Sequence, residues 1–260
     1  RYVARASGAD QAVLVRETAA ALGGLGFDPA GLVTACRRIV DRHATSAPLW
    51  WLCARVLTAA DGRAESWRAV SEIEDDTTPV ELVHALPDDA TVCVLGWPDV
   101  AAGALLRRGD LDVLVVDALG EGRGLARRLA RAEVVVEEVP MHGLGAAAAA
   151  ADLVLLEASA IGPGGAVCVA GSRAAAAVAR AAEVPVWLVG GVGRLLPGRM
   201  WDALVRRLDE AGEPWQADDE IVPLALVDRV CGPAGPELVA DALRRTDCPV
   251  APELFRTTAF

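Results

Sequence analysis

The chain has 260 residues, enough for one large domain or two modest ones with a substantial core. Its hydrophobic content of 53% is dispersed in strand-length runs, none close to the roughly 20 apolar residues of a bilayer-spanning helix, so a membrane protein is not expected. A formal net charge of −11 argues against direct binding of nucleic acid, and the absence of lysine removes Schiff-base and phosphate-loop lysine chemistry.

The first 85 or so residues read as helices. Apolar residues at three- and four-residue spacing mark 12–22, 31–40 and 48–57, with Asp28 before Pro29 as a start signal for the second. The acidic run from Glu72 to Pro79 breaks the pattern, and Leu86-Pro87-Asp88-Asp89 is the last turn signal before it changes. The expected organisation is a helical domain over 1–86 and a Rossmann-like α/β domain over 87–260. From Ala90 onward, candidate strands at 91–95, 112–117, 133–139, 152–157, 166–169, 185–190 and 221–226 alternate with candidate helices at 99–108, 122–131, 143–151, 171–182 and 199–211. Fully apolar runs such as 113–116 and 153–156 fit strands of a parallel sheet covered on both faces.

The cysteines at 36, 53, 93, 168, 231 and 248 have mostly apolar neighbours and no C-x-x-C pair, so they read as small buried hydrophobes. The histidines at 43, 84 and 142 lack ligand spacing, and neither a metal nor a cofactor is expected. No stretch has the make-up of a secretory signal, and the cytoplasm is the expected location.

In a parallel α/β sheet, ligands bind beyond the carboxyl ends of the strands. The loops to search are therefore 96–99, 117–120, 140–143, 157–160 and 190–194. Gly164 and Gly165 offer backbone N–H groups to an anion, or form a plain tight turn. Gly190, Gly191 and Gly193 follow a strong strand and lead into Arg194, a side chain able to hold a phosphate bidentately. Asp117 orients a sugar hydroxyl or caps the next turn, and His142 is the one imidazole on this edge.

The stretch Asp152 to Gly165, reading D-L-V-L-L-E-A-S-A-I-G-P-G-G, resembles the segment D-x-V-x-x-G-A-D-x-[IV] … N-G-G of a family that joins initiation factor 2B regulatory subunits with methylthioribose-phosphate and ribose-bisphosphate isomerases. Val113 to Asp117 resembles the family strand ending in an E-T-R-P loop, and His43 to Leu49 resembles its R-P-T-A-V-x-L motif. Gly171-Ser172, the helix after it and Val184 to Val189 are similar to I-G-T, helix and V-P-F-Y-V-A.

The resemblance implies a homodimer joined through the Rossmann-like domain and a ligand that is a sugar phosphate or nucleotide. It also implies a cysteine and an aspartate that move protons between aldose and ketose. Here those positions are about Gly96 and Ser159, and a serine hydroxyl cannot serve as acid or base near neutral pH. The family's Asn-Lys pair aligns with Cys168-Val169, and its E-T-R with Asp117-Ala118-Leu119. The expectation is an initiation-factor-2B-like protein without isomerase chemistry, serving ligand sensing, assembly or translation initiation. The alternative is an aldose–ketose isomerase of a phosphorylated pentose whose acid and base have moved to His142, Asp117 or Asp99.

Overall fold

The computed structural model describes residues 11–24, 29–210 and 212–256. Five helices come first: α1 (Gln11–Gly23), α2 (Pro29–Arg42), α3 (Ala47–Thr58), α4 (Gly62–Glu74) and α5 (Thr78–Ala85). The Asp28 start signal lies outside the described residues. Helix α3 is buried on all sides from Ala47 to Ala54, Trp50 and Trp51 included, as an all-apolar helix must be. Helices α4 and α5 were not expected. Asp61 caps α4 by accepting from Ala64 N–H at 2.9 Å, and Pro79 sits in the first turn of α5, where its missing N–H is no loss. The acidic run is thus the joint between two helices.

The chain then alternates: β1 (Thr91–Leu95), α6 (Asp99–Leu105), β2 (Asp112–Val116), α7 (Gly122–Arg131), β3 (Val135–Val139), α8 (Leu144–Ala150), β4 (Leu153–Gly162), β5 (Gly165–Val169), α9 (Ser172–Ala181) and β6 (Val186–Val189). It ends with α10 (Gly198–Asp209), β7 (Asp219–Val222), β8 (Arg229–Gly232), β9 (Gly235–Leu238) and α11 (Val239–Ala242). The main sheet runs β3-β2-β1-β4-β6-β8-β9, parallel from β3 to β8. Helices α5, α6 and α7 cover one face, and α8 and α9 the other. The α/β class and the helical N-terminal region are as expected from the sequence.

Three details differ. The strand expected at 166–169 forms β5, but it folds back antiparallel on the second half of β4 and pairs antiparallel with β7, so these two strands leave the main sheet. The strand expected at 221–226 is β7, which begins at Asp219 and stops at Val222 because Pro223 follows and can donate no ladder hydrogen bond. β8 and β9 were not anticipated. They form an antiparallel pair turning at Gly235, whose φ is +84°.

One apolar cluster joins the two ends of the chain. Val40, Trp50, Trp51 and Ile73 of the helical region pack in the same cluster as Ala160, Val167, Trp201, Leu204 and Leu254. Buried Arg207 of α10 fastens this junction, with Nε donating to Asp41 Oδ1 at 2.7 Å and Nη2 donating to the carbonyls of Leu254 and Arg256.

Candidate functional site

The chain runs from β1 outward to β3 and then returns to place β4 on the other side of β1, so strand order reverses between β1 and β4. A crevice opens at such a switch point, beyond the strand ends. Gly96, in the left-handed region at φ +62°, ends β1 and turns the chain through Trp97-Pro98 into α6. Trp97 lies on Gly124 of α7, where a Cβ would meet its indole at 2.5 Å.

Beside it, β4 presents Glu157. One carboxylate oxygen accepts from Asp99 N–H at 3.1 Å, and the other from the N–H groups of Val100 and Ala101 at 2.9 and 3.0 Å. Arg194, 5% exposed, donates to the same carboxylate at 2.8 Å and to Ala158 O at 2.7 Å. The first turn of α6, a natural seat for an anion, therefore holds a carboxylate of the chain itself.

The pattern repeats along this edge. Glu220 of β7 accepts from the N–H groups of Gly171 and Arg173 at the start of α9, at 2.7 and 2.9 Å. Asp76 accepts from Val192 N–H at 2.9 Å and from both the N–H and hydroxyl of Thr78, at 2.9 and 2.6 Å. Asp117 accepts from Arg123 N–H at 3.2 Å in the first turn of α7.

Ser159, Arg194, Glu157, Asp219, Cys168 and Ser172 come together around an inner cavity of about 70 Å³. Ser159 Oγ donates to Val167 O at 3.3 Å. Asp219 opens β7 opposite Val169. Burial pushes its carboxyl up to about 6, against a hydrogen bond from Thr45, with Asp218 and Glu121 adding to the rise. Burial, with Asp219 and Glu220 close by, also pushes the Cys168 thiol up, which leaves it a poor nucleophile. Cys93, 0% exposed inside β1, is pushed up to about 12 by burial. Gln11, Trp97, Asp99 and Arg194 are shared with an outer cleft of about 560 Å³, which adds Arg16 and Arg128.

The remaining candidates, Arg194 apart, lie elsewhere. Gly164 packs on Trp201, whose indole nitrogen a Cβ there would meet at 2.6 Å, and Gly165 packs on Ile221. Gly190 packs on Ile161, and Gly191 packs on the Asp76 carboxylate that the next residue's N–H already serves. Gly193, at φ +75°, lies on Trp51. Arg194 is turned inward to Glu157. His142 is exposed on the loop after β3, and neither it nor Asp117 lines the cavity.

No protein-family model matches the sequence, and no curated protein matches it either. Solved structures do. The translation initiation factor eIF-2B of Pyrococcus horikoshii OT3 superposes with a TM-score of 0.75 at 13% identity, over 94% of this chain and 96% of that one. The eIF2B beta subunit of Chaetomium thermophilum gives 0.63 at 18%, over 96% and 86%, and a chain of the tetrameric eIF2B-beta2-delta2 complex from that organism gives 0.68 at 18%, over 90% and 85%.

This chain has the eIF2B fold.

By the sequence resemblance, Glu157, the carboxylate that occupies the start of α6, stands at the glycine of the G-A-D segment. A signal for it was present, because it is the one charged residue in the otherwise apolar run Leu153 to Ala158. Asp219 belongs to the acidic run 218–220, which reads as a loop before the expected strand at 221. Thr45, Cys168 and Ser172 lie in segments that carry the sequence resemblance, and long-range pairing brings them to this eIF2B-like crevice.

Proposed function

We propose that this chain is an eIF2B-like protein that acts by binding and assembly, without the aldose–ketose chemistry of the isomerases it resembles. The observation that carries the reading is the crevice edge itself. Its helix starts and its glycine loop already serve Glu157, Glu220 and Asp76, while Ser159 replaces the carboxylate that proton transfer would need. An acid and base relocated to His142, Asp117 or Asp99 have against them that only Asp99 lines the cavity, so no two of them meet there. Association as a homodimer belongs to this proposal, supported by neighbours that include a tetrameric eIF2B complex.

A second reading, a sugar phosphate or nucleotide as sensed ligand, is favoured by the outer cleft. There the Trp97 indole and the guanidinium groups of Arg16 and Arg128 line a space of about 560 Å³, within the size range of small-molecule sites.

Two measurements test the proposal. A coupled assay with ribose 5-phosphate and ribose 1,5-bisphosphate should show no turnover above background, and sedimentation at micromolar concentration should show a dimer. Robust turnover would overturn the non-catalytic reading. Stabilisation by AMP or ribose 5-phosphate that is lost in Arg128→Ala supports the second reading; at 100 times Kd it should reach about 2.7 kcal/mol.

A further inference from the structure

We infer that the inner cavity takes a small organic cation, a primary ammonium or guanidinium head, with the rest of the ligand lying past Trp97 in the outer cleft. The inference rests on reading the crevice as a binding site rather than a centre of chemistry, and it names the class of ligand.

The first observation is a buried hydroxyl without a partner. Ser172 is 1% exposed and lines the cavity, and among the described residues its hydroxyl makes no hydrogen bond. Buried polar groups are almost always paired, so this oxygen faces something that the described residues do not supply. Its neighbour on the wall, Cys168, is 1% exposed and likewise makes no hydrogen bond through its thiol.

The second observation is the sign of the wall. Asp219 brings a carboxylate held by Thr45, and Glu157 brings another that Arg194 already neutralises. Asp99 and Glu121 also line the cavity, each with interactions of its own. The Asp219 carboxyl is pushed up to about 6, the behaviour of a buried carboxylate among other carboxylates, and a cation beside it would bring it back down.

A phosphate fits none of this. The N–H groups at the start of α9 serve Glu220, those at the start of α6 serve Glu157, and Arg194 is committed to Glu157 and Ala158. A metal ion fits no better, because among the described residues no three His, Cys, Asp or Glu side chains are placed to hold one. An ammonium group carries three donors, which matches the Asp219 carboxylate and the Ser172 hydroxyl as acceptors. A cavity of about 70 Å³ accepts such a head but not a phosphorylated pentose. The half-buried indole of Trp97, shared by both cavities, offers its face to the cation or to the chain behind it.

The experiment titrates the full chain at pH 7.5 with agmatine and with cadaverine, by calorimetry and thermal shift. Sodium chloride at equal ionic strength, magnesium chloride and ribose 5-phosphate are run in parallel. The expected result is saturable binding of one amine per chain with a rise in Tm that sodium chloride does not reproduce. Asp219→Asn should weaken binding tenfold or more and Ser172→Ala threefold or more, while Arg244→Ala, on the surface, should leave it unchanged. If the amines do no more than sodium chloride, or if Asp219→Asn and Ser172→Ala both bind as tightly as the parent, the inference is overturned. Binding of magnesium that depends on Asp219 would overturn it as well. Pentose-phosphate turnover would strike at the non-catalytic reading alone, so the two can fail separately.

Discussion

Glu157 holds the first turn of α6 and the charge of Arg194 at once, with side-chain exposures of 11% and 6% for the pair. Removing one member of a buried ion pair strands the other, which costs about 3–5 kcal/mol. Glu157→Gln should therefore lower the denaturant midpoint substantially, and adding Arg194→Met should recover part of the loss. Asp219 should behave in the opposite sense. Its folded pKa, raised from 3.8 to about 6, means that the native state takes up a proton before the unfolded chain does. This group therefore favours folding below about pH 4, and that advantage is lost as pH rises through about 6. Asp219→Asn should stabilise the protein at pH 7.5 by on the order of 1–2 kcal/mol and lose that gain near pH 4. Unfolding curves of parent and variant at both pH values check the sign.

At the scale of elements, the β4–β5 hairpin closes over Trp201 of α10 so tightly that Gly162 and Gly164 both have its indole where a side chain would begin, while Gly165 has Ile221 there. Gly162→Val should cost about 1–3 kcal/mol through overpacking, read as a fall in Tm. This contact also shows what the sequence could not disclose. The glycines at 162 and 164 look the same whether they face an anion or an aromatic ring, and the choice is made by a tryptophan far along the chain. The β1 to β6 alternation was legible because most of its strands are short apolar runs, the exposed edge strand β3 with Glu137 and Glu138 being the exception. The pair β8–β9 was not, because its residues Arg229, Pro236 and Glu237 give neither an apolar run nor clean alternation. At the site, Ser159 and Arg194 could be placed on the correct edge from strand ends alone. Glu220, Asp76 and Asp219 could not, because each approaches from an element that is neighbour to the crevice only after folding.

Across the whole molecule, the helical region and the end of the chain share one core, fastened by Arg207 on Asp41 and on the carbonyls of Leu254 and Arg256. Its guanidinium also lies over the Trp50 ring at 4.7 Å. Arg207→Met should cost about 3 kcal/mol or more, since Asp41 would keep its burial and lose this partner. Chemical denaturation should still give one transition, because the shared core couples both regions; two separated transitions would contradict that coupling. The same junction fixes an order of events during synthesis. Trp50, Trp51 and Val40 leave the ribosome well before the surfaces that cover them, Trp201, Leu204 and Leu254. Until those surfaces emerge, the nascent chain carries an uncovered apolar face, a target for chaperones and for self-association. A stalled or prematurely terminated copy, even one with every residue of the helical region in place, would be marked for disposal by that face.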